Sequence, residues 1–273
     1  MLRLWTLEGL SLVELIRRTV VESWKDSVFG QGGRMAFYQF LALFPALAVF
    51  LAAGTRIPHL VDYMRGALQD FSRHLFPAQV SQLLENVLDQ PYRRVLTGPQ
   101  LLFTCMGTLW AAFNSTWAMI YGLNRAYEVR EHRRRWKLAL TVCGLTVAMA
   151  LTGCVAILMI FGAVRSEMVE YTVLVAALSF AFSLLYRFAP NVPDHEWRWS
   201  TPGAILALVL WLGATFAARF YFGRVNDYSR TYGHLNGVAM LLLWLYVTNG
   251  AILMGGEMNS EIEKAAASRR SSG

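Results

Sequence analysis

The feature that most constrains this chain is a series of six long runs that contain no Asp, Glu, Lys or Arg. About 20 helical residues are enough to cross the hydrocarbon core of a bilayer. Soluble domains rarely carry several such runs, and only 16% of the 273 residues here are charged. The pattern predicts an all-α, polytopic membrane protein with a bundle of six transmembrane helices over 35–55, 101–123, 138–164, 171–186, 201–218 and 235–256.

The residues before the first run predict a separate helix. Leu10, Val13, Val20 and Trp24 recur at helical spacing, and basic side chains lie beside them. Two interpretations of residues 1–34 are open: an amphipathic helix in the cytoplasmic membrane interface, or a short helix packed on the bundle.

The distribution of Lys and Arg predicts the orientation of the chain. Most of the 25 basic residues lie in connections that share one side if the N-terminus is cytoplasmic. Both termini are therefore predicted to be cytoplasmic. The densest basic run, 130–137, adjoins the third apolar run, so we assign it to orientation and to contact with anionic lipid head groups. No nucleic-acid partner is expected.

Two extramembrane segments flank or interrupt the predicted transmembrane domain, which covers residues 35–259. The external insertion at 57–99 contains two amphipathic helical patterns separated by Pro77. Neither pattern can bury its apolar stripe alone, so the insertion is predicted to cover the bundle, either as a lid or as a surface that binds a partner. Residues 260–273 are predicted to form a disordered cytoplasmic tail.

Short motifs follow one another in order along the apolar runs. They are Phe44-Pro45, Tyr121-Gly122-Leu123-Asn124, the stretch Tyr186–Asn191, Pro202-Gly203-Ala204, Tyr232-Gly233, Leu243–Tyr246 and Gly255–Asn259. In these motifs the chain resembles the YihY/virulence factor BrkB family, which was formerly mislabelled ribonuclease BN. The resemblance implies a six-helix bacterial inner-membrane protein linked to envelope integrity, for which lipid or solute transport has been proposed.

The second apolar run carries an aromatic stripe. Trp110, Asn114, Trp117 and Tyr121 recur at spacings of four and three residues, which places them on one face of a helix. Two interpretations are open. The stripe packs against a neighbouring helix, with an interhelical hydrogen bond from Asn114, or it forms the polar lining of a substrate cavity.

The first and sixth runs offer further candidate binding residues. Arg34 and Tyr38 share a face with Pro45, which predicts a kink in the first helix. In the sixth run Tyr246 and Glu257 share a face. Asn249 lies beside that face. Glu257 is predicted to pair with Arg34 or Arg187, with binding of a coupling proton or cation as the alternative.

A second set of residues is predicted to be structural. Small side chains in the last run permit close helix contact, and Asn259 is expected to hydrogen-bond the emerging chain. The predicted structural residues are Pro45, Pro190, Gly203, Gly233, Gly237, Gly256 and Asn259.

The sequence offers little to an enzyme. Its five histidines lie in different connections, and its three cysteines lie in apolar runs, so we expect no metal, no cofactor and no catalytic residue. The leading hypothesis is a transporter or flippase-like handler of an envelope lipid or small solute. The alternative is a scaffolding protein that binds an envelope partner through its external helices. Ribonuclease activity is not expected. The predicted substrate-binding residues are Arg34, Tyr38, Trp110, Asn114, Trp117, Tyr121, Tyr246, Asn249 and Glu257.

Overall fold

The computed structural model describes residues 10–54, 66, 69, 78–89, 98–162, 167–192, 201–224 and 235–272. Within these residues the regular structure is helical, with no strand, which confirms the predicted all-α class. The eight helices are α1 (Leu12–Lys25), α2 (Val28–Gly54), α3 (Ala78–Asp89), α4 (Gly98–Ala126), α5 (Arg135–Gly162), α6 (Glu167–Phe188), α7 (Pro202–Arg224) and α8 (Leu235–Ser272).

Each of the six predicted apolar segments coincides with one helix, namely α2 or one of α4 to α8, as far as the segments are described. By length and composition, three described helical segments are long and apolar enough to cross a membrane. They lie in α5, α7 and α8 and cover Arg135–Ala156, Pro202–Phe220 and Gly237–Arg269. The apolar part of α6, Thr172–Phe188, is shorter. Membrane crossing by all six helices therefore stays a prediction.

Helix α1 has a defined beginning and end. Ser11 Oγ accepts a hydrogen bond of 3.1 Å from the backbone N–H of Glu14, which satisfies one of the free donors of the first turn. The chain leaves the helix through Asp26 and Ser27, and Ser27 has a positive φ of 52°. Helix α2 starts directly after this turn.

One face of α1 is buried in the protein, and another exposes apolar side chains. Leu15, Thr19 and Ser23 form the buried face. Val13 and Trp24 lie on the opposite side and are 77% and 80% exposed. The helix is therefore packed on the protein, and its apolar stripe points away from it.

The chain divides into two compact units, of which unit 1 comprises Met1–Met35, Thr116–Trp211 and Val247–Gly273. In unit 1, Leu15 of α1 packs with Met258 and Ile262 of α8. Helices α7 and α8 approach so closely that a Cβ atom on Gly203 would overlap the carbonyl oxygen of Gly255. Glycine is thus required at this crossing because no side chain fits between the two backbones.

Unit 2 comprises Ala36–Ser115 and Leu212–Tyr246. Its core is apolar and contains residues of α2, α3 and α8: Leu47, Val80, Leu84, Met240 and Leu241. Helix α3, the described helix of the predicted external insertion, places its apolar stripe in this core. The other amphipathic pattern of the insertion lies almost entirely outside the described residues.

The end of the chain differs from the sequence prediction. Residues 260–273 were expected to be disordered, whereas α8 continues to Ser272. The reason is packing: Ser260, Glu261 and Ile262 are buried, and Ile262 contacts the core of unit 1. Because the segment is polar in composition, its buried face cannot be recognised from the sequence.

Candidate functional site

Arg34 and Tyr121 form a cation–aromatic site in unit 1. The guanidinium carbon of Arg34 lies 4.9 Å from the centroid of the Tyr121 ring, within the range of attraction between a cation and an aromatic face. Arg34 Nη2 donates a hydrogen bond of 2.6 Å to Gln31 Oε1, one turn earlier on α2. Both side chains of the pair are exposed, and no carboxylate in the described part of the chain forms an ion pair with Arg34.

Trp117 lies one turn before Tyr121 on the same face of α4. The two aromatic side chains are 44% and 50% exposed. Aromatic groups of this size carry much of the apolar area that folding buries. Here they leave an open aromatic surface beside a positive charge.

The aromatic residues of unit 2 pair with each other. The rings of Tyr38 and Trp110 lie 6.0 Å apart at an interplanar angle of 80°, the edge-to-face arrangement that aromatic pairs favour. Asn114 Nδ2 donates a hydrogen bond of 2.7 Å to the carbonyl oxygen of Trp110. The amide therefore bonds to its own helix rather than across to another. Tyr246, also in unit 2, is partly buried.

Glu257 is buried in unit 1 with 0% exposure. Neither of its carboxylate oxygens accepts a hydrogen bond from the described residues. The expected pairing with Arg34 or Arg187 is wrong, because Arg34 lies over Tyr121 and the Arg187 guanidinium lies over the Phe188 ring. Asn249, two turns earlier on α8, is also buried with 0% exposure.

A polar network joins the end of α4, the following loop and the end of α6. Asn124 Nδ2 donates to Glu131 Oε2 at 2.9 Å, and Asn124 Oδ1 accepts from the backbone N–H of Asn191 at 2.7 Å. Arg133 binds both carboxylate oxygens of Glu131 and donates to the carbonyl oxygens of Phe188 and Ala189. We call Asn124, Glu131, Arg133 and Asn191 the loop clamp.

Arg133 in the loop clamp satisfies the carbonyl groups that are left free where α6 ends. The ionisation of Glu131 is coupled to this contact. Partial burial favours the neutral acid, but hydrogen bonds from Arg133 and Asn124 favour the carboxylate and lower the pKa of Glu131 below its usual value. The clamp therefore depends on an ionised Glu131.

The family model for virulence factor BrkB matches residues 19–273. The chain belongs to the virulence factor BrkB family. A Bacillus subtilis (strain 168) protein named ribonuclease-like protein YfkH is 29% identical over 252 residues, which cover 86% of this chain and 90% of that protein.

A UPF0761 membrane protein of Xanthomonas axonopodis pv. citri (strain 306) is 25% identical over 254 residues, which cover 87% of this chain. The chain spans only 58% of the length of that relative. No solved structure matches the chain significantly. The protein is thus a member of a membrane-protein family.

The Gly255–Asn259 motif of this BrkB-family chain has a clear structural role. Asn259 Oδ1 accepts a hydrogen bond of 2.9 Å from the N–H of Gly203, and Asn259 Nδ2 donates one of 3.0 Å to Thr201 Oγ1. Because Gly203 lies in the first turn of α7, Asn259 caps that helix from α8. Tyr186 adds a bond of 2.6 Å to the carbonyl oxygen of Ile252.

The remaining predicted structural residues are placed as follows. Pro45 lies inside α2, Pro190 is buried just after α6, and Gly237 is buried near the start of α8. A Cβ atom on Gly256 would lie 2.6 Å from Leu123 Cδ2, so this glycine permits close contact between α8 and α4. Gly233 lies outside the described residues.

An apolar cavity of about 570 Å³ lies between α5 and α6. The two threonines in its lining, Thr152 and Thr172, donate their hydroxyl groups to carbonyl oxygens of their own helices. The cavity therefore presents a surface compatible with hydrocarbon.

In the described residues, no group of three or more His, Cys, Asp or Glu side chains is arranged to hold a metal ion.

Two polar contacts of this BrkB-family protein, those of Arg133 and Asp26, were not predicted from the sequence. Arg133 was assigned, with the rest of the basic run, to orientation, yet it closes the loop clamp. Its spacing of two residues from Glu131 is one signal that was available. Asp26 was not singled out, although it forms an ion pair of 3.3 Å with Arg125.

Proposed function

We propose that this protein is a non-enzymatic carrier of the bacterial inner membrane that moves or handles an amphipathic envelope lipid or a small anionic solute. In this proposal α2 and α4 to α8 cross the membrane, and both termini are cytoplasmic. The observation that carries the proposal is the exposed Arg34 guanidinium over the exposed Tyr121 ring. Such a site has a charge for an anionic group and an aromatic surface for an adjoining apolar group.

The predicted site residues extend this proposal. Trp117, Tyr38, Trp110 and Asn114 contribute aromatic and amide surface in their respective units. Tyr246 on α8 adds a partly buried phenol, whereas Asn249 and Glu257 are buried and do not contribute to the exposed surface. The apolar cavity between α5 and α6 supports a lipid rather than a polar solute, because it offers a hydrocarbon chain an apolar surface.

The exposed apolar stripe of α1 supports its placement in the membrane interface. Val13 and Trp24 project away from the protein, while the buried face of α1 holds the helix on unit 1. Burial of this stripe among lipid head groups and acyl chains would remove large apolar side chains from water. In this proposal, one face of α1 packs on the protein and the opposite face lies in the membrane interface.

The first experiment measures transport by the purified chain in liposomes. Lipid scrambling is followed with head-group-labelled anionic lipid, and solute exchange is followed with a trapped anionic dye. Arg34→Gln removes the charge and keeps much of the side-chain length. We expect it to lower the activity by about 10-fold or more, since a hydrogen bond to a charged group contributes about 1.5–3 kcal/mol and about 1.4 kcal/mol corresponds to a factor of ten.

Arg17→Gln is the matched control. Arg17 is an exposed arginine of unit 1 that lies 3.6 Å from Glu14, so the substitution makes the same change of charge away from Tyr121. Its activity should match that of the wild type. A wild-type protein without scrambling or exchange, or an Arg34→Gln variant as active as Arg17→Gln, would contradict the proposal.

The topology is tested with thiol reagents that do not cross the membrane. Single cysteines placed at residues 12 and 268 in intact cells should react only after the inner membrane is permeabilised. Reaction of either cysteine from the periplasmic side would contradict cytoplasmic termini.

The alternative of a scaffolding protein has less support. The apolar stripe of α3 contains Val80 and Leu84, which are buried in the core of unit 2. This stripe is therefore used within the protein itself and does not serve as a docking surface.

Ribonuclease activity is suggested by the name of the Bacillus relative. It predicts RNA cleavage by the purified chain, whereas our proposal predicts none.

A further inference from the structure

Glu257 lies where α8 meets the turn after α1. Near the start of α1, packing of Leu15 against Met258 and Ile262 holds α1 against α8. Two acidic side chains, Asp26 and Glu22, act on Glu257 from the α1 side. The carboxyl groups of Asp26 and Glu22 therefore lie near that of Glu257.

The cations in this region are already engaged. Arg125 Nε contacts Asp26 Oδ1 at 3.3 Å, and Lys25 Nζ contacts Glu22 Oε1 at 2.6 Å. Lys264, which acts on Glu257 from its own helix, contacts both Glu128 and Glu261 at 2.9 Å. Among the residues described, Glu257 is left without an ion pair or a hydrogen bond.

Two phenols, of Tyr186 and Tyr127, also lie near Glu257. Tyr186 of α6 is buried, and its hydroxyl group donates to the carbonyl oxygen of Ile252. Tyr127 follows α4 and is buried, and burial raises its pKa well above the usual value. Both phenols are neutral at physiological pH, so neither supplies the positive charge that an ionised Glu257 would need.

An ionised carboxylate that is buried and unpaired is strongly unfavourable. When two carboxyl groups share one proton, a hydrogen bond between them replaces the repulsion between two negative charges. We propose that Glu257 and Asp26 form a proton-binding site. The protonated Glu257 donates its O–H to the Asp26 carboxylate, which keeps its ion pair with Arg125. Without that proton both carboxylates are acceptors only, and no hydrogen bond can join them.

The site links protonation to the position of α1. When the proton leaves, Glu257 carries a buried charge that faces Asp26 and Glu22, and the contact between α1 and α8 weakens. The ligand is the proton itself, so this site goes beyond the proposed carrier activity and can be tested without a transport assay.

The test is infrared difference spectroscopy of the full chain in lipid nanodiscs, between neutral and alkaline pH. The wild type should lose a protonated carboxylic-acid band as the pH rises. Glu257→Gln should lack this band. Asp26→Asn removes a negative charge and frees Arg125, so the band should disappear at a pH lower by at least about 1 unit, a tenfold change in proton affinity.

Glu14→Gln is the control, because Glu14 lies in the first turn of α1 and is paired with Arg18 at 2.8 Å. This variant should keep the wild-type band. Glutamine has the shape of the neutral acid, so Glu257→Gln should fold and, at alkaline pH, unfold at a higher temperature than the wild type. A wild type without the band, a band retained in Glu257→Gln, or a Glu257→Gln protein that does not fold would overturn the proposal.

Discussion

Units 1 and 2 differ in the contacts that join their helices. In unit 1, polar side chains connect elements that are far apart in the sequence, as Asn259 does with Gly203 and Arg133 does with Ala189. The described core of unit 2 is aliphatic and aromatic. Hydrogen bonds are directional and costly to leave unmade, whereas apolar contacts tolerate rearrangement. The comparison indicates that unit 1 fixes the geometry of the motif residues it contains.

The largest expected effect is a difference in stability between alanine substitutions of two glycines in the same helix, α7. Gly203→Ala, in unit 1, would force α7 and α8 apart because its Cβ overlaps Gly255. We expect the free energy of unfolding to fall by about 3 kcal/mol or more. Thermal unfolding in detergent, followed by circular dichroism, measures this.

Gly213→Ala is the matched control in unit 2. A Cβ atom there has no neighbour within 4 Å, so the higher helix propensity of alanine should leave stability unchanged or raise it by up to about 1 kcal/mol. If Gly203→Ala and Gly213→Ala were equally stable, the close approach of α7 to α8 at Gly203 would not be important for stability.

The next effect concerns the cap on α7. Asn259→Ala removes the acceptor for Gly203 N–H and the donor to Thr201, and we expect a loss of about 1–2 kcal/mol. In unit 2, Thr215→Val removes the longer bond of 3.3 Å from Trp244 Nε1 and should cost less, about 0.5 kcal/mol. If chemical denaturation in mixed micelles ranked the two variants the other way, polar contacts would not distinguish the units.

A pH dependence in the loop clamp is expected to have a smaller effect than the loss of Asn259. The pKa of Glu131 is lowered in the folded protein, so its contribution to stability is present above the ordinary pKa of glutamate. This contribution is lost as the pH falls through the folded-state value. Glu131→Gln should be about 1 kcal/mol less stable than the wild type at neutral pH and should match it more closely in acid.

Unfolding temperatures across an acidic pH series test this prediction. Glu128→Gln, in the same connection but with a largely exposed side chain, should keep the wild-type pH dependence, because an exposed ion pair contributes little. An identical pH dependence of Glu131→Gln and the wild type would show that the clamp does not depend on the charge.

The helices were predictable because their signal is local. Runs without charge in α5, α7 and α8 determine both helix formation and an apolar surface, and neighbours elsewhere in the chain do not alter that preference. The role of Asn259 was foreseen in kind, as a hydrogen bond to another part of the chain. Its partner, Gly203, was not, because helical periodicity carries no information about which helix lies opposite.

Two predictions differ from the structure, namely the partner of Glu257 and the disorder of residues 260–273. Glu257 was expected to pair with an arginine because opposite charges attract, yet Arg34 lies over Tyr121. The tail beyond residue 260 looked polar enough to be disordered. However, a single buried side chain per turn, such as Ile262, is enough to anchor a helix that is already formed. Such contacts are decided by the tertiary arrangement.

The packing of α1 on α8 has a consequence for biosynthesis. Leu15 emerges from the ribosome early, whereas Met258 and Ile262 are made only near the end of this sequence. During most of translation the buried face of α1 has no protein surface to cover it. Helix α1 can complete these contacts only after this part of α8 has been made, so the packing of α1 in unit 1 forms long after α1 itself is synthesised.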